Sequence, residues 1–480
     1  MTTTVGISSY GVHVPRWRLA RAQIGAALGT SAGRGTRSVA GYDEDTTSMG
    51  VQAATTALIP GVDIRGIVFA SALPAYTDKT NAAVVHAALD LEPTVSAYDL
   101  MGACRSGMGA LTAAADAAAA GRTTLAVLSD IRTGLPGSVD ERIGGDGAAA
   151  VVFDSGTEVI AELIGRGAAT AEFLDRWRIP GESAGHLWEE RFAVDRYVEL
   201  AGQAVRAALD ESGTDRTAIG RIAVAGMHRR AVAVVTRELR GEATVVPDRA
   251  DAIGVTGTAE PGFLLATALD EAQPDELILL VHLGDGADAL ILRATDVLPR
   301  WRDDRVVGTA SEQIADGREI DYHRALIWRG HLRPEPPRRP DPDRPAGPPA
   351  ARNAGWKFGL VGSRCTVCDT RHLPASRVCR SCHSVDRMRR DRIAGEWGVV
   401  TTFQADRLAY SMNPPLTGAV VDFPGGGRLV CEVTDIDDDS LRIGDRVEMT
   451  FRRLYTTSDG VHNYFWKARP CRDRRISNEG

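Results

Sequence analysis

The chain has 480 residues, 44% hydrophobic and 25% charged, with a formal net charge of -7; by length it has room for about three domains of ordinary globular composition. That acidic balance argues against a general nucleic-acid binder, whose domains carry a basic excess. No run approaches the roughly eighteen apolar residues of a membrane span, and residues 1–11 lack a secretory pattern, so a cytoplasmic protein without membrane contact is expected.

In chain order, Val5 to Ser9 and Gly66 to Ser71 read as strands, and Thr46 to Leu58 as a helix to which Asp43, Glu44 and Asp45 supply caps and first-turn acids. Val95 to Leu100 has the content of a short buried strand, while Ser106 to Ala120 is Ala-rich and free of proline, so Cys104 falls at a strand-to-helix turn. The helix N-terminus favours thiolate over thiol, and Gly102, Gly107 and Gly109 allow close approach, which makes Cys104 a candidate nucleophile. The plainer alternative is a buried cysteine packing as a small hydrophobe. Thr124 to Leu128 and Ala148 to Phe153 complete one alternating unit. A second begins near Val159, with helices over Asp195 to Glu211, after His228 and over Pro261 to Glu271, and strands over Ile222 to Ala225, Leu277 to Leu283 and Ala289 to Arg293. Arg65 to Ser71 echoes Gly220 to Gly226, as a duplicated α/β unit would.

Leu332 to Arg352 is too rich in proline for helix or central strand and reads as an extended, semi-rigid linker, able to span on the order of 60 Å. Beyond it, Cys365, Cys368, Cys379 and Cys382 form two CxxC pairs ten residues apart, the spacing of a four-thiolate structural zinc site. His372 and His383 are then expected at the surface, because four sulfurs already fill such a site. Trp397 to Ala405, Gly418 to Phe423, Arg428 to Asp435, Arg446 to Phe451 and His462 to Lys467 are alternating runs between turn signals, and five short strands suggest a small barrel.

Several phrases, in order, resemble the thiolase-like condensing enzymes and, among them, the archaeal and bacterial 3-hydroxy-3-methylglutaryl-CoA synthases. They are Tyr42-Asp43-Glu44-Asp45-Thr46, the Cys104 turn, Gly144-Gly145-Asp146-Gly147, and Ile253-Gly254 with Thr256-Gly257. The resemblance implies a duplicated α/β core of αβαβα layers over 1–165 and 166–332, a homodimer, and an acyl group carried on Cys104. It places His228, after a second-half strand, where the family histidine polarises a thioester carbonyl. His282 stands before a glycine turn, where thiolases proper carry a second cysteine, and is a further acid/base candidate. The linker, 333–352, leads to a zinc ribbon, 353–392, and an OB-type barrel, 393–480, similar to modules that accompany such enzymes as separate subunits. If that barrel lines a CoA channel, Trp397, Phe403, Tyr410 or Tyr455 would pack beside pantetheine or adenine, against the alternative that they are barrel core.

Two positions depart from the pattern. Where the synthases have a general-base glutamate the chain has Ala72, and where they have an asparagine before threonine it has Val255. The expectation is therefore acyl transfer from acyl-CoA, or from an acyl carrier protein, through Cys104 to a second substrate, and not methylglutaryl-CoA synthesis. The competing readings are a non-catalytic thiolase-like scaffold and a retro-aldol or thiolytic enzyme acting on a CoA thioester.

Overall fold

The computed structural model describes residues 4–31, 33–59, 61–156, 158–305, 307–338, 343–436 and 440–471. Its centre is a ten-stranded sheet whose two halves repeat one plan. From one edge the strands are Ser96–Met101, Gly66–Ser71, Thr124–Asp130, Gly147–Ser155 and Val5–His13. A short pairing of Gly6 and Ile7 with Glu162 and Ala161 then leads to Ala161–Thr170, Gly286–Ala294, Leu277–Leu283, Ile219–Gly226 and Thr244–Val245. Read outward from the join, Gly66–Ser71 and Ile219–Gly226 hold equivalent places, which accounts for their sequence echo.

The layers follow from which faces are apolar. Along Leu277–Leu283, Ile278 and Leu280 enter one buried cluster while Leu279, Val281 and Leu283 enter another, so both faces of the strand are covered. The helices Ser106–Ala119 and Glu260–Glu271 lie between the half-sheets: Met108, Leu111, Phe263 and Leu265 pack with Leu128 and Val151 of one half and Ala225 and Leu290 of the other. Thr46–Ala57 covers the outer face of the first half, and Glu190–Ser212 with Arg229–Leu239 covers that of the second. This is the expected αβαβα thiolase-like core. Strand Ser96–Met101 is a free edge of the sheet, with the side chain of Tyr98 exposed.

The linker differs from the expected extended chain at its end. Gly347–Arg352 forms a short helix, because Pro348 and Pro349 occupy first-turn positions where no backbone N–H is required; Pro340 and Pro342 lie outside the described residues. A ribbon of Val361–Cys365, Arg371–His372 and Met388–Arg392 follows. Five barrel strands are ordered Arg428–Glu432, Leu416–Asp422, Trp397–Asp406, Arg446–Thr456 and His462–Pro470, and a parallel bridge between Val433 and Ala468 nearly closes them into the expected OB-type barrel. His383 is exposed, but His372 is buried in its strand and is not the surface residue expected. Among the described residues, no helix is long and apolar enough to cross a membrane.

The barrel is joined to the first half through charge. Asp45 caps the Thr46–Ala57 helix as expected, in a reciprocal pair with Ser48. Asp43 and Glu44 do not serve as first-turn acids. They face the barrel's buried Arg452, whose Nη1 lies 3.3 Å from Asp43 and 2.8 Å from Glu44, while its Nη2 donates to Asp435 at 2.7 Å. Lys467, also buried, bridges Asp43 and Glu432 at 3.0 and 2.8 Å. His13 completes the cluster at 2.7 Å from Glu44. Burial alone would push the Glu44 carboxyl up, but Arg452 and His13 hold it below the usual carboxylate range.

Candidate active site

Cys104 sits where the sequence places it, between the Ser96–Met101 strand and the Ser106–Ala119 helix. Gly102 turns the chain at φ 110°, a conformation that L side chains rarely adopt, and its N–H donates to Ser71 O at 3.2 Å. A Cβ at Gly107 would lie 2.3 Å from the Thr258 carbonyl, so glycine there lets the helix start pack against the Thr256–Ala259 segment.

The sulfur faces a cavity of about 110 Å³ whose walls include Ala72, Arg132, Arg176, Arg178, Tyr197 and His228. Arg132 Nη1 donates to the Cys104 sulfur at 3.5 Å and to the Asp130 carboxylate at 3.2 Å. Asp130 is buried and also accepts from the N–H and hydroxyl of Thr258 at 3.1 and 3.2 Å. The expected thiolate bias is overturned: burial pushes the Cys104 thiol up, Arg132 pulls it down, and Asp130 adds to the rise. Desolvation of the sulfur thus outweighs the favourable helix end, and the resting group is a thiol.

This balance has a measurable sign. Alkylation of Cys104 by iodoacetamide, followed by peptide mass, should increase with pH through 9 and beyond without a plateau near neutrality. Arg132→Met removes the cation and leaves Asp130 nearby, both raising the thiol further, so the rate at fixed pH should fall severalfold. Arg132→Lys should retain most of the rate. A wild-type plateau below pH 8, or an unchanged rate in Arg132→Met, would contradict the assignment.

His228 lines the same cavity but its ring nitrogens are already engaged. Nδ1 accepts from the Ala231 N–H at 3.1 Å, capping the Arg229–Leu239 helix, and Nε2 lies 3.1 Å from Glu190 O. An amide N–H must donate and a carbonyl must accept, so the ring is held with its proton on Nε2. His228 can therefore present an Nε2–H to a substrate carbonyl only by releasing Glu190.

His282 follows Leu280 into the central layer, beside Arg105 and Gly284. It is buried, neither ring nitrogen has a hydrogen-bond partner among the described residues, and it is not among the cavity walls. Burial lowers its pKa to about 4, so it is neutral at physiological pH. The ring is thus a buried core side chain that is not brought together with Cys104 and His228.

Sequence reasoning missed Glu260. Its buried carboxylate accepts from Gly226 N at 3.0 Å, two residues before His228, and burial pushes its pKa up to about 8 against the pull of Arg229. An acid at a first helical position is an ordinary capping pattern, so nothing in the sequence distinguished it. The arginines of the cavity carried no motif either.

The four cysteines converge as expected. Their sulfurs all lie within 4.8 Å of one another, with Cys365 to Cys382 at 3.7 Å and Cys368 to Cys379 at 3.4 Å. Sulfurs around a tetrahedral zinc are separated by about 3.8 Å, given Zn–S bonds of about 2.3 Å, so the donor set fits that ion. The Val367 and Ser381 N–H groups donate to Cys365 and Cys379, the outer bonds that orient such ligands.

The barrel aromatics do not reach Cys104. Trp397 stacks under the Arg446 guanidinium at 4.9 Å and borders a separate cleft of about 780 Å³ that shares no wall residue with the Cys104 cavity. Phe403 and Tyr410 are exposed, and Tyr455 donates to the Asp343 carbonyl in the linker. The barrel instead touches the loop that follows Ala72, where the His462 N–H is donated to Tyr76 OH at 2.7 Å.

Comparison with known proteins agrees with this architecture. The hydroxymethylglutaryl-CoA synthase of Methanopyrus kandleri is 30% identical over 351 residues, an alignment covering 66% of this chain and 98% of that protein. The chain belongs to the hydroxymethylglutaryl-CoA synthase family. Residues 395–452 match the C-terminal OB-fold domain of ChsH2. Among solved structures, MvaS in complex with 3-hydroxy-3-methylglutaryl coenzyme A has a TM-score of 0.59 at 18% identity, covering 82% of this chain and 100% of that one. The HMG synthase of the Curacin biosynthetic pathway, in complex with holo donor-ACP, has a TM-score of 0.59 at 20% identity, covering 68% and 88%.

Of the two positions expected to depart from the family's pattern, Ala72 is at the cavity and Val255 is not among its walls. Ala72 lines the cavity, and its carbonyl accepts from Arg178. Val255 is buried and held by backbone bonds, its N–H donating to Ile143 O at 2.8 Å and its carbonyl accepting from Gly145 N–H at 2.9 Å.

Proposed function

We infer that the protein is an acyltransferase of the condensing-enzyme type, which takes an acyl group from a CoA or carrier-protein thioester onto Cys104 and passes it to a second nucleophile. The observation that carries the reading is the Cys104 thiol at the head of a central helix, facing a cavity with Arg132 beside its sulfur. In the loading step Sγ bonds to the thioester carbonyl carbon, the donor C–S bond breaks, and the thiol proton leaves on the donor sulfur. As charge develops on sulfur, Arg132 stabilises it. The Nε2–H of His228, once free of Glu190, is the donor available to the carbonyl oxygen.

The hydrocarbon side chain of Ala72 cannot remove a proton from an acetyl carbon, which supports an acceptor other than the one used to make methylglutaryl-CoA. Relatives captured with coenzyme A ester or with donor-ACP support both donor classes. Zinc in the ribbon would be structural, since four thiolates leave no open position. The free Ser96–Met101 edge, with Tyr98 exposed, supports a homodimer joined along that strand.

Intact-protein mass after incubation with short acyl-CoAs tests this reading. One acyl adduct is expected on wild type and none on Cys104→Ala; no adduct on wild type, or the same adduct on the variant, would refute it. Light scattering of the same sample should give the mass of two chains, and a monomer at micromolar concentration would exclude the dimer.

A further inference from the structure

The cavity holds one cation that the protein leaves without an anion. Arg105 is paired with Asp288 through two bonds of 2.8 and 3.0 Å, Arg132 with Asp130, and Arg176 with both oxygens of Asp140. Arg178 lines the same cavity and donates to the Ala72 carbonyl; among the described residues no carboxylate lies within ion-pair distance of it. Burial disfavours its charge and Arg132 disfavours it further, while Asp130 and Asp140 offset this only in part from beyond ion-pair distance. A half-buried guanidinium in such a place is stabilised by an anion that arrives with the ligand, and its planar fork matches a carboxylate.

We propose that Arg178 is a specificity-determining residue that receives a carboxylate at the far end of the acyl group loaded on Cys104. The preferred donors are then thioesters of short dicarboxylic acids. Ala72 ties the guanidinium to the acyl end of the site, because Ala72 follows Ser71, whose carbonyl accepts from Gly102 N two residues before Cys104. The cavity of about 110 Å³ suits a short chain. The phosphates of a CoA donor sit at the other end of the pantetheine arm.

This inference rests on the acylation of Cys104, and the experiment separates the two. Rates of adduct formation on the full-length protein are compared for succinyl and butyryl thioesters, similar in length and different in charge, each as the CoA ester and as the phosphate-free N-acetylcysteamine ester. Wild type should favour succinyl by about tenfold or more with both carriers, the usual worth of a charge-assisted pair. Arg178→Met should bring the ratio to about one, and Arg178→Lys should restore part of it. Equal wild-type rates for the two acyl groups would overturn the proposal while leaving Cys104 as the acceptor, whereas no adduct from any ester would remove the underlying reading. Arg178→Met slowing both CoA esters alike while leaving both N-acetylcysteamine esters unchanged would assign Arg178 to phosphate and also overturn it. Should Arg178→Met take up neither group, free succinate must protect wild-type Cys104 from iodoacetamide better than butyrate does, and equal protection would count against the proposal.

Discussion

Arg452→Met should destabilise the full-length protein by about 3–5 kcal/mol in a urea titration, because it strands carboxylates in a dry interface. Arg452 is buried against Asp43, Glu44 and Asp435, themselves buried, and on the neighbouring strand Lys467 and Tyr464 anchor to Asp43 and Asp45. Methionine fills much of the volume but supplies no counter-charge, so Glu44 loses the cation that holds it ionised and must bind a proton or break the contact. The same network joins the barrel to the first half, so protease cleavage after the linker should accelerate. Arg428→Met is the control. Its partner Asp422 is also solvent-exposed, and such surface pairs are worth about 0–1 kcal/mol. A loss below about 1 kcal/mol for Arg452→Met would mean that the cluster is hydrated and that the barrel is held by apolar contacts.

That cluster shows where sequence reading runs out. Asp43, Glu44 and Asp45 precede a helix, and local logic assigns all three to its start; Asp45 does cap it, while the other two answer to side chains some four hundred residues later. No local pattern encodes a partner at that separation. The Cys104 turn was legible because strand, glycines and helix are contiguous, and the four-cysteine cluster because its members come in two tight pairs. The half-sheet repeat could be read from one strand echo, since strands covered on both faces are restricted to aliphatic runs. The direction of the Cys104 shift was not legible: the helix end is visible in sequence, but burial, which raises the thiol pKa against the pull of Arg132, is a tertiary fact. Arg178 was hidden for a related reason. In a chain where arginine supplies almost all positive charge, one more arginine carries no signal until its lack of a carboxylate partner is seen.

The ribbon should depend on its metal as strongly as the barrel depends on Arg452. It has three short strands and few apolar side chains of its own, and small modules of this kind fold when a metal supplies what a core cannot. Apparent binding energies for structural zinc in comparable sites are about 10–16 kcal/mol near neutral pH. Protein purified without chelator should therefore hold about one zinc per chain, and Cys379→Ser, at the most buried of the four ligands, should lose it. The damage should spread to the barrel. Arg371, in the ribbon's second strand, makes a forked pair with Glu396 at 2.8 and 2.7 Å and donates to the Pro424 and Gly426 carbonyls, while Arg364 donates to Gly425 O. These bonds pin the Phe423 to Gly427 turn of the barrel to a ribbon that the metal holds, so Cys379→Ser should expose both to protease together. Wild type with well under one zinc per chain, or a Cys379→Ser variant with unchanged zinc content and unchanged melting, would contradict the metal site.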